Sequence, residues 1–196
     1  HGLRQLVFLR RMSLPRLLSL NLQSGRVLTL GDGDCAYSAA LATARSSLHV
    51  CATTYDTRRH VPDAHVKAVA ELLCELDFTD PFPEPGSWDR IVANFPTPLG
   101  RRHVSRARSL MRRLLACASE SLAADGQFWL TLEVGVGGPS SDGMSWDVVD
   151  AAADVELILV TLEPAKAKSV YAPRGSKTDG TLHVFARPGA GPLAYG

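Results

Sequence analysis

The chain has 196 residues, of which 45% are apolar and 21% are charged, with 16 glycines and 12 prolines. This length and composition predict an ordinary globular protein with a sizeable core, and they exclude a disordered tail, a collagen-like repeat and a disulfide-bonded miniprotein. The formal net charge is only +1, so a global basic field is absent.

Positive charge is nevertheless concentrated in two segments. Residues 1–24 and residues 101–113 contain several arginines each and no acidic residue. Two such clusters on an almost neutral protein are typical of contact with a polyanion through one face. We predict a docked amphipathic helix in residues 1–24 rather than a targeting peptide, because a clean hydrophobic region and a cleavage site are absent. Residues 25–196 are predicted to form a single domain.

The cysteines and the hydropathy pattern indicate the cellular environment of the protein. Cys35, Cys51, Cys74 and Cys117 lack the close spacing of a zinc site and lie mostly in apolar stretches. We therefore predict reduced thiols in an intracellular protein and no metal site. Since no uncharged apolar run reaches 18 residues, no membrane span is predicted.

Short apolar runs alternate with helical patterns along the chain. Predicted strands cover Arg26–Leu30, Leu48–Thr53, Leu72–Leu76, Trp88–Ala93, Gln127–Glu133, Val155–Leu162 and Thr181–Arg187. Predicted helices cover Cys35–Ala44 with Asp34 as N-cap, Asp63–Ala70, residues 104–122 with Gly126 as the stop, and Trp146–Ala153. Arg108, Arg112 and Arg113 lie off the apolar stripe of the third helix, and we expect them to face solvent.

This alternation predicts an α/β fold, a Rossmann-like sheet of seven strands that is mostly parallel and has helices on both faces. No helix separates the last two strands, so the last strand is predicted to run antiparallel. In such a sheet a ligand binds over the carboxyl ends of the strands. The residues that follow the strands are therefore the candidates for a functional site.

The first strand is followed by Gly31-Asp32-Gly33-Asp34, here called the glycine turn. Its two glycines let the backbone approach a ligand, and the helix N-terminus behind it favours a negative group. Asp32 and Asp34 would repel a pyrophosphate but attract an ammonium or sulfonium, which favours S-adenosyl-L-methionine over a dinucleotide. An Asp-rich turn that caps a helix, or the turn of a nicotinamide enzyme, is equally compatible with this motif alone.

Acidic residues follow the next two predicted strands as well. Tyr55-Asp56 follows the second strand, where the Asp56 carboxylate can accept hydrogen bonds from both hydroxyls of an adenosine ribose. Asp77 follows the third strand and can accept a hydrogen bond from an adenine amino group. A solvated loop acid and a turn-capping acid are the respective alternatives.

Asn94-Phe95-Pro96, here called the corner, follows the fourth strand and discriminates best between functions. The Asn94 carbonyl can accept from a ring or exocyclic N–H, Phe95 can stack on a flat base, and Pro96 keeps the backbone rigid. This arrangement resembles the Asn-Pro-Pro-aromatic corner of amino-methylating enzymes; a loop turn with a buried Phe is the alternative. Arg101 and Arg102 come shortly afterwards and are predicted to contact the phosphates of a nucleic acid.

Taken in this order, the motifs resemble those of the eukaryotic 25S ribosomal RNA uridine-N(3)-methyltransferase-like proteins. The family's Gly-Asp/Glu-Gly-Asp-Phe-Ser-Phe-Ser corresponds to residues 31–38, its Ala-Thr-Ser-Tyr-Asp to residues 52–56 and its Val-Asp-Ala-Thr to residues 76–79. Its Phe-Asp-x-Ile-x-Phe-Asn-Phe-Pro corresponds to residues 88–96, its Gly-Glu-Ile-x-Val-Thr-Leu to residues 126–132 and its Ser-Trp to Ser145-Trp146. The chain departs from the pattern at Cys35-Ala36-Tyr37, and residues 171–175 only loosely match a Pro-Gly-Tyr element.

The resemblance spans about residues 26–160 and implies S-adenosyl-L-methionine as cofactor and a uracil ring nitrogen in large-subunit rRNA as acceptor. It also implies a nuclear or nucleolar location, while a monomer is favoured as the oligomeric state. Combined with the strand-end chemistry, it predicts cofactor-binding residues Gly31, Asp32, Gly33, Asp34, Tyr55, Asp56 and Asp77, catalytic residues Asn94, Phe95 and Pro96, and substrate-binding residues Arg101 and Arg102. Two other functions remain: an NAD-dependent oxidoreductase, for which no Tyr/Lys pair or His is well placed, and a non-catalytic RNA-binding module.

Overall fold

The computed structural model describes residues 20, 22–98, 103–138, 143–166 and 179–190. Most of the predicted N-terminal helix, Arg101 and Arg102, and the segment 171–175 lie outside the described residues. Of the predicted N-terminal helix, residues 20 and 22–24 are described and are not helical. Strands are β1 (Gly25–Leu30), β2 (Leu48–Thr53), β3 (Glu71–Leu73), β4 (Trp88–Asn94), β5 (Leu122–Glu133), β6 (Ile158–Lys166) and β7 (Asp179–Ala186). Helices are α1 (Ala36–Ala44), α2 (Asp63–Ala68), α3 (Val104–Ser121) and α4 (Val148–Ala153), with a short 3-10 helix at Arg58–His60.

These strands form one mixed sheet in the order β3-β2-β1-β4-β5-β7-β6. The strands β1 to β5 run parallel to one another, and Leu28 of β1 lies between Cys51 of β2 and Ile91 of β4. β7 runs antiparallel to both β5 and β6, which confirms the predicted antiparallel last strand. The strand order reverses between β1 and β4, the position at which open α/β sheets bind their ligands.

Helices cover both faces of the sheet, as predicted. On one face, α3 and α4 bury Met111, Leu114 and Ala152 in a core with Ile91 and Phe128 of the sheet. On the other face, α1 buries Tyr37 and Leu41 in a second core with strand residues such as Val50 and Trp129. The apolar stripe of α3 therefore faces the sheet and leaves its polar side to the loops that follow the strands.

The start of α1 differs from the prediction that Asp34 is its N-cap. Cys35 occupies the cap position in the left-handed conformation, with φ 62°. Asp34 Oδ1 accepts a hydrogen bond from the Ala36 N–H at 3.3 Å, and Asp32 Oδ2 accepts one from the Ser38 N–H at 2.7 Å. Both carboxylates thus satisfy backbone donors that the first turn of a helix leaves without partners.

β3 is shorter than the predicted strand Leu72–Leu76. It ends at Leu73, because Glu75 has φ 57°, a left-handed conformation that a strand does not tolerate. Asp77 consequently lies in a loop beyond the strand end rather than directly after it.

Gly126 does not stop α3, which ends at Ser121; instead it lies within β5. A β-carbon at position 126 would lie 2.7 Å from the Trp88 carbonyl oxygen, so the residue permits a close approach of β4. The sixth strand is also displaced: Glu156 has φ 60° and separates α4 from the start of β6 at Ile158.

Loops that pack against α3 change the environment of its arginines. Arg108 does not face solvent freely, because its Nε donates to the Ser145 carbonyl at 3.0 Å and pairs with Asp147 Oδ2 at 2.8 Å. Arg112 and Arg113 are exposed, as expected. The helical period alone does not reveal which polar positions meet a loop.

The four cysteines are free, which agrees with the predicted thiols. None of the helices in the described part of the chain combines the length and apolar character that crossing a membrane requires.

Candidate active site

A cavity of about 540 Å³ lies over the carboxyl ends of β1, β2 and β4 and is closed on one side by α3. This volume falls within the range of sites for small molecules and cofactors, roughly 300–1,000 Å³. The strand ends contribute one wall, which contains Asp56 and Asp77. The α3 wall contains Arg106 and Arg113, so the cavity lining contains both acidic and basic groups.

Gly31 and Gly33 of the glycine turn line this cavity. Both have left-handed backbones, with φ 61° and φ 53°, which glycine adopts without strain. A β-carbon on Gly33 would meet nothing within 4 Å, whereas one on Gly31 would lie 3.1 Å from the Phe78 ring. The backbone is thus open at Gly33, whereas the missing β-carbon of Gly31 leaves room for the Phe78 ring.

Two threonines at the end of β2, Thr53 and Thr54, hold the glycine turn in place. The Thr53 hydroxyl accepts a hydrogen bond from the Gly31 N–H at 3.3 Å, and the Thr53 carbonyl accepts one from the Asp32 N–H at 3.0 Å. The Thr54 hydroxyl donates to the Gly33 carbonyl at 2.7 Å. The sequence analysis missed this role, although both threonines lie in the Ala52–Asp56 motif.

Asp32 and Asp34 do not line the cavity; their carboxylates turn towards the start of α1. Asp32 accepts hydrogen bonds from the N–H and the hydroxyl of Ser38. Burial raises the pKa of the Asp32 carboxyl from an ordinary 3.8 to about 6, although the hydrogen bonds from Ser38 oppose this shift. These hydrogen bonds are those of an Asp-rich turn that caps a helix, which is the alternative that the sequence left open for both residues.

Tyr55 and Asp56 line the cavity beyond the end of β2. The Asp56 N–H donates to the Thr54 hydroxyl at 3.1 Å, which fixes the backbone at this position. About 41% of the Asp56 side chain is exposed, and His60 Nδ1 lies 3.9 Å from its carboxylate. The carboxylate is therefore accessible to a ligand that carries hydroxyl groups.

Asp77 also lines the cavity, and one of its carboxylate oxygens accepts hydrogen bonds within its own loop. Asp77 Oδ1 accepts hydrogen bonds from the Thr79 N–H at 2.9 Å and from the Thr79 hydroxyl at 2.8 Å. Arg113 of α3 donates to the Thr79 carbonyl at 3.2 Å and lies 3.7 Å from Asp80. The loop that carries Asp77 and Phe78 is thus tied to α3 across the cavity wall.

The corner brings two of its three residues to the cavity. Phe95 and Pro96 line it, whereas Asn94, the last residue of β4, does not. The Asn94 Oδ1 accepts a hydrogen bond from the Thr131 hydroxyl at 2.9 Å, and the Phe95 N–H donates to the Thr131 carbonyl at 2.8 Å. Phe95 has φ 53°, a conformation that is rare for a bulky side chain and clusters at functional sites.

Apolar groups complete the lining of the cavity. Leu30 ends β1, Phe78 lies opposite Gly31, and Leu110 comes from α3. Flat apolar surfaces beside an accessible carboxylate fit an adenosine, since the base needs stacking contacts and the ribose needs acceptors. The residues present therefore fit an adenosine-containing cofactor.

Sequence reasoning missed the contribution of α3 to the cavity. Arg106, Ser109, Leu110 and Arg113 line it at the helical spacing i, i+3, i+4, i+7. The arginine-rich segment 101–113 indicated that this part of the chain is positively charged. Which face of α3 lines the cavity depends on how the helix packs, and the sequence alone does not show that.

Methyltransferases of known structure share this fold. A TehB-like SAM-dependent methyltransferase from Corynebacterium glutamicum is similar with 18% identity over 88% of this chain and 86% of that chain, at a TM-score of 0.58. The 16S rRNA methyltransferase KamB is similar with 14% identity over 88% and 92% of the two chains, at a TM-score of 0.61. The 16S rRNA (adenine(1408)-N(1))-methyltransferase from Catenulisporales acidiphilia shows 13% identity over 88% and 91%, at a TM-score of 0.61. The predicted methyltransferase fold is confirmed.

One family model matches the sequence over residues 28–171: BMT5-like, described as rRNA (uridine-N3-)-methyltransferase BTM5-like. The match covers the glycine turn, the strand-end acids and the corner. No curated protein matches the chain in sequence.

Proposed function

The chain belongs to the BMT5-like family of rRNA methyltransferases, and from this premise we propose that it methylates a ring nitrogen of uridine, N3, in large-subunit rRNA. Methyltransferases of this family use S-adenosyl-L-methionine, so the family excludes the nicotinamide-dependent oxidoreductase. The observation that carries the proposal is that one cavity contains both the glycine turn with Asp56 and the Phe95-Pro96 pair. A nuclear, nucleolar location follows from the proposed substrate.

The donor half of the proposal rests on the glycine turn, Asp56 and Asp77. When bound, S-adenosyl-L-methionine supplies a methyl group on a positively charged sulfur. We assign Asp56 to the ribose hydroxyls, Gly31 and Gly33 to close backbone contact, and Tyr55 to the cavity wall beside them. Asp77 Oδ2 is assigned to the adenine amino group, because Oδ1 already accepts from Thr79.

Support for the donor half comes from Asp32 and Asp34. Their carboxylates hold the start of α1 and so fix the glycine turn that precedes it. We assign both residues to positioning the cofactor-binding turn rather than to direct contact with the sulfonium.

The acceptor half rests on the corner. Phe95 stacks on the uracil ring and Pro96 keeps the backbone rigid. The Asn94 amide, which is next to Phe95 but outside the cavity lining, is assigned to the edge of the base, because its oxygen keeps a second lone pair beside the one that accepts from Thr131. The Thr131 hydroxyl orients the Asn94 amide through its 2.9 Å hydrogen bond. Methyl transfer requires an in-line approach, so holding the base in place is the main task of these residues. A base within a helix must first be turned out of its stack.

Methyl transfer from isotopically labelled S-adenosyl-L-methionine to rRNA tests the proposal. An unmodified transcript of the large-subunit rRNA is the substrate, because cellular rRNA can already carry the methyl group. Digestion to nucleosides is expected to place the label in N3-methyluridine.

Label in another nucleoside would overturn the proposed acceptor but leave the family assignment intact. Binding of the transcript without any transfer would instead identify a non-catalytic RNA-binding module. A matched small-subunit transcript serves as the control for substrate choice, and equal labelling of both transcripts would contradict the large-subunit assignment.

A further inference from the structure

Arg106 is distinguished from the other described arginines of α3 by its surroundings. It lines the cavity and is exposed to solvent. Among the described residues, no group forms a hydrogen bond or an ion pair with its guanidinium. A cation at the edge of a ligand cavity that nothing in the described chain neutralises is available to an anionic ligand.

The neighbouring arginines of α3 either contact other groups of the protein or lie outside the cavity. Arg108 pairs with Asp147 at 2.8 Å, and Arg113 contacts the Thr79 carbonyl at 3.2 Å and Asp80 at 3.7 Å. Arg112 is exposed but does not line the cavity. Arg106 thus combines access to the cavity with a guanidinium free for a ligand.

The position of Arg106 favours the acceptor side of the cavity. Arg106 lies only nine residues after Thr97 in the chain, and Thr97 follows the corner and also lines the cavity. The glycine turn lies between β1 and α1, far from Arg106 in sequence. A nucleotide that enters beside Phe95 brings the phosphates of its own chain with it. Arginine binds phosphate oxygens through a planar fork of N–H donors, which fixes orientation as well as charge.

We propose that Arg106 binds a backbone phosphate of the RNA next to the target nucleotide and thereby positions the base over the corner. This inference rests on the proposed function, since it names the part of the substrate that the same cavity holds. It adds a substrate-binding residue from α3 to the arginines that the sequence analysis assigned.

The test compares Arg106→Ala with Arg112→Ala, a matched removal of an exposed arginine on the same helix. Equilibrium binding of a fluorescent fragment of the rRNA transcript is measured at several salt concentrations. Arg106→Ala is expected to weaken binding roughly 5–10-fold and to reduce the log–log salt slope by about one, because one phosphate contact is lost. Arg112→Ala is expected to bind like the wild type.

A calorimetric titration with S-adenosyl-L-methionine separates the two anions that Arg106 could contact. Unchanged cofactor affinity in Arg106→Ala supports a phosphate contact. Weaker cofactor binding with wild-type RNA binding overturns the inference and assigns Arg106 to the cofactor carboxylate. Equal RNA binding and equal slopes for all three proteins also overturn it. These outcomes are independent of methyl transfer, so absence of N3-methyluridine from the wild-type reaction contradicts the proposed function without deciding the role of Arg106.

Discussion

The ring of Phe95 packs against Gly180 of β7, and a β-carbon at position 180 would lie 2.9 Å from Phe95 Cε1. The Leu132 carbonyl oxygen blocks the same space from the backbone of β5. Phe95 also has a left-handed backbone, with φ 53°. The antiparallel strand β7 therefore helps to shape the corner, although it is far from it in sequence.

Gly180→Ala is expected to lower the free energy of unfolding by about 1–3 kcal/mol, because a buried methyl group must displace backbone or the Phe95 ring. Methyl transfer should fall as well, since the ring that stacks on the base moves. Chemical denaturation and a transfer assay measure the two effects. Gly138→Ala is the matched control, because a β-carbon there meets nothing within 4 Å. Equal stability of the two variants would contradict the packing argument.

Asp56→Ala is expected to weaken the binding of S-adenosyl-L-methionine at least ~10-fold, because it removes acceptors for charge-assisted hydrogen bonds to the ribose. Isothermal titration calorimetry measures the affinity directly. The control is Asp63→Ala, which removes a carboxylate that is 80% exposed and lies outside the cavity. Wild-type affinity in the Asp56 variant would show that another group binds the ribose.

Asn94→Ala is expected to reduce turnover by about two orders of magnitude while leaving cofactor affinity nearly intact, because the amide is assigned to the base and not to the adenosine. Thr131→Val keeps the shape of the side chain but removes the hydroxyl that orients Asn94. Its turnover should lie between those of the wild type and Asn94→Ala. Single-turnover transfer rates with saturating cofactor measure both variants, and an Asn94 variant with wild-type rates would make the residue purely structural.

The raised pKa of Asp32 predicts that the free energy of unfolding decreases as the pH rises. Its folded-state pKa of about 6 exceeds the ordinary 3.8, because burial disfavours the charged carboxylate. The folded protein therefore binds this proton more tightly than the unfolded chain does. The contribution of the protonated Asp32 to the free energy of unfolding is present below pH 4 and is lost as the pH rises to about 6. A shift of about two pKa units corresponds to roughly 2–3 kcal/mol.

Asp32→Asn removes this titration and keeps an oxygen that can accept from Ser38. We expect the wild type to lose stability relative to this variant between about pH 4 and pH 6, and the difference to stay constant above that range. Urea denaturation of both proteins at several pH values measures it. Parallel stability curves across this range would mean that the Asp32 carboxylate is ionised in the folded protein as readily as in the unfolded chain.

Much of the fold follows from local patterns in the sequence. A short stretch of sequence is enough to predict several elements: the apolar runs predict β1, β2 and β4, and the periodic apolar stripe predicts α3. The absence of a helical pattern before β7 likewise predicts its antiparallel direction. The candidate site could be located for the same reason: Gly31, Asp56 and Phe95 come within three residues of a strand end, and parallel strands bring their carboxyl ends to one edge.

Tertiary structure decided what local patterns leave open. The sequence predicts Asp32 and Asp34 as cofactor ligands, and only the structure shows that their carboxylates accept hydrogen bonds from the first turn of α1. The sequence predicts Gly126 as a helix stop, but the residue lies in β5, where the close approach of the Trp88 carbonyl leaves no room for a β-carbon. Arg106 and Arg108 are nearly adjacent and chemically identical, but the 143–147 segment engages only Arg108. Which polar side chain meets a partner depends on contacts between distant segments, and a helical period carries no information about those segments.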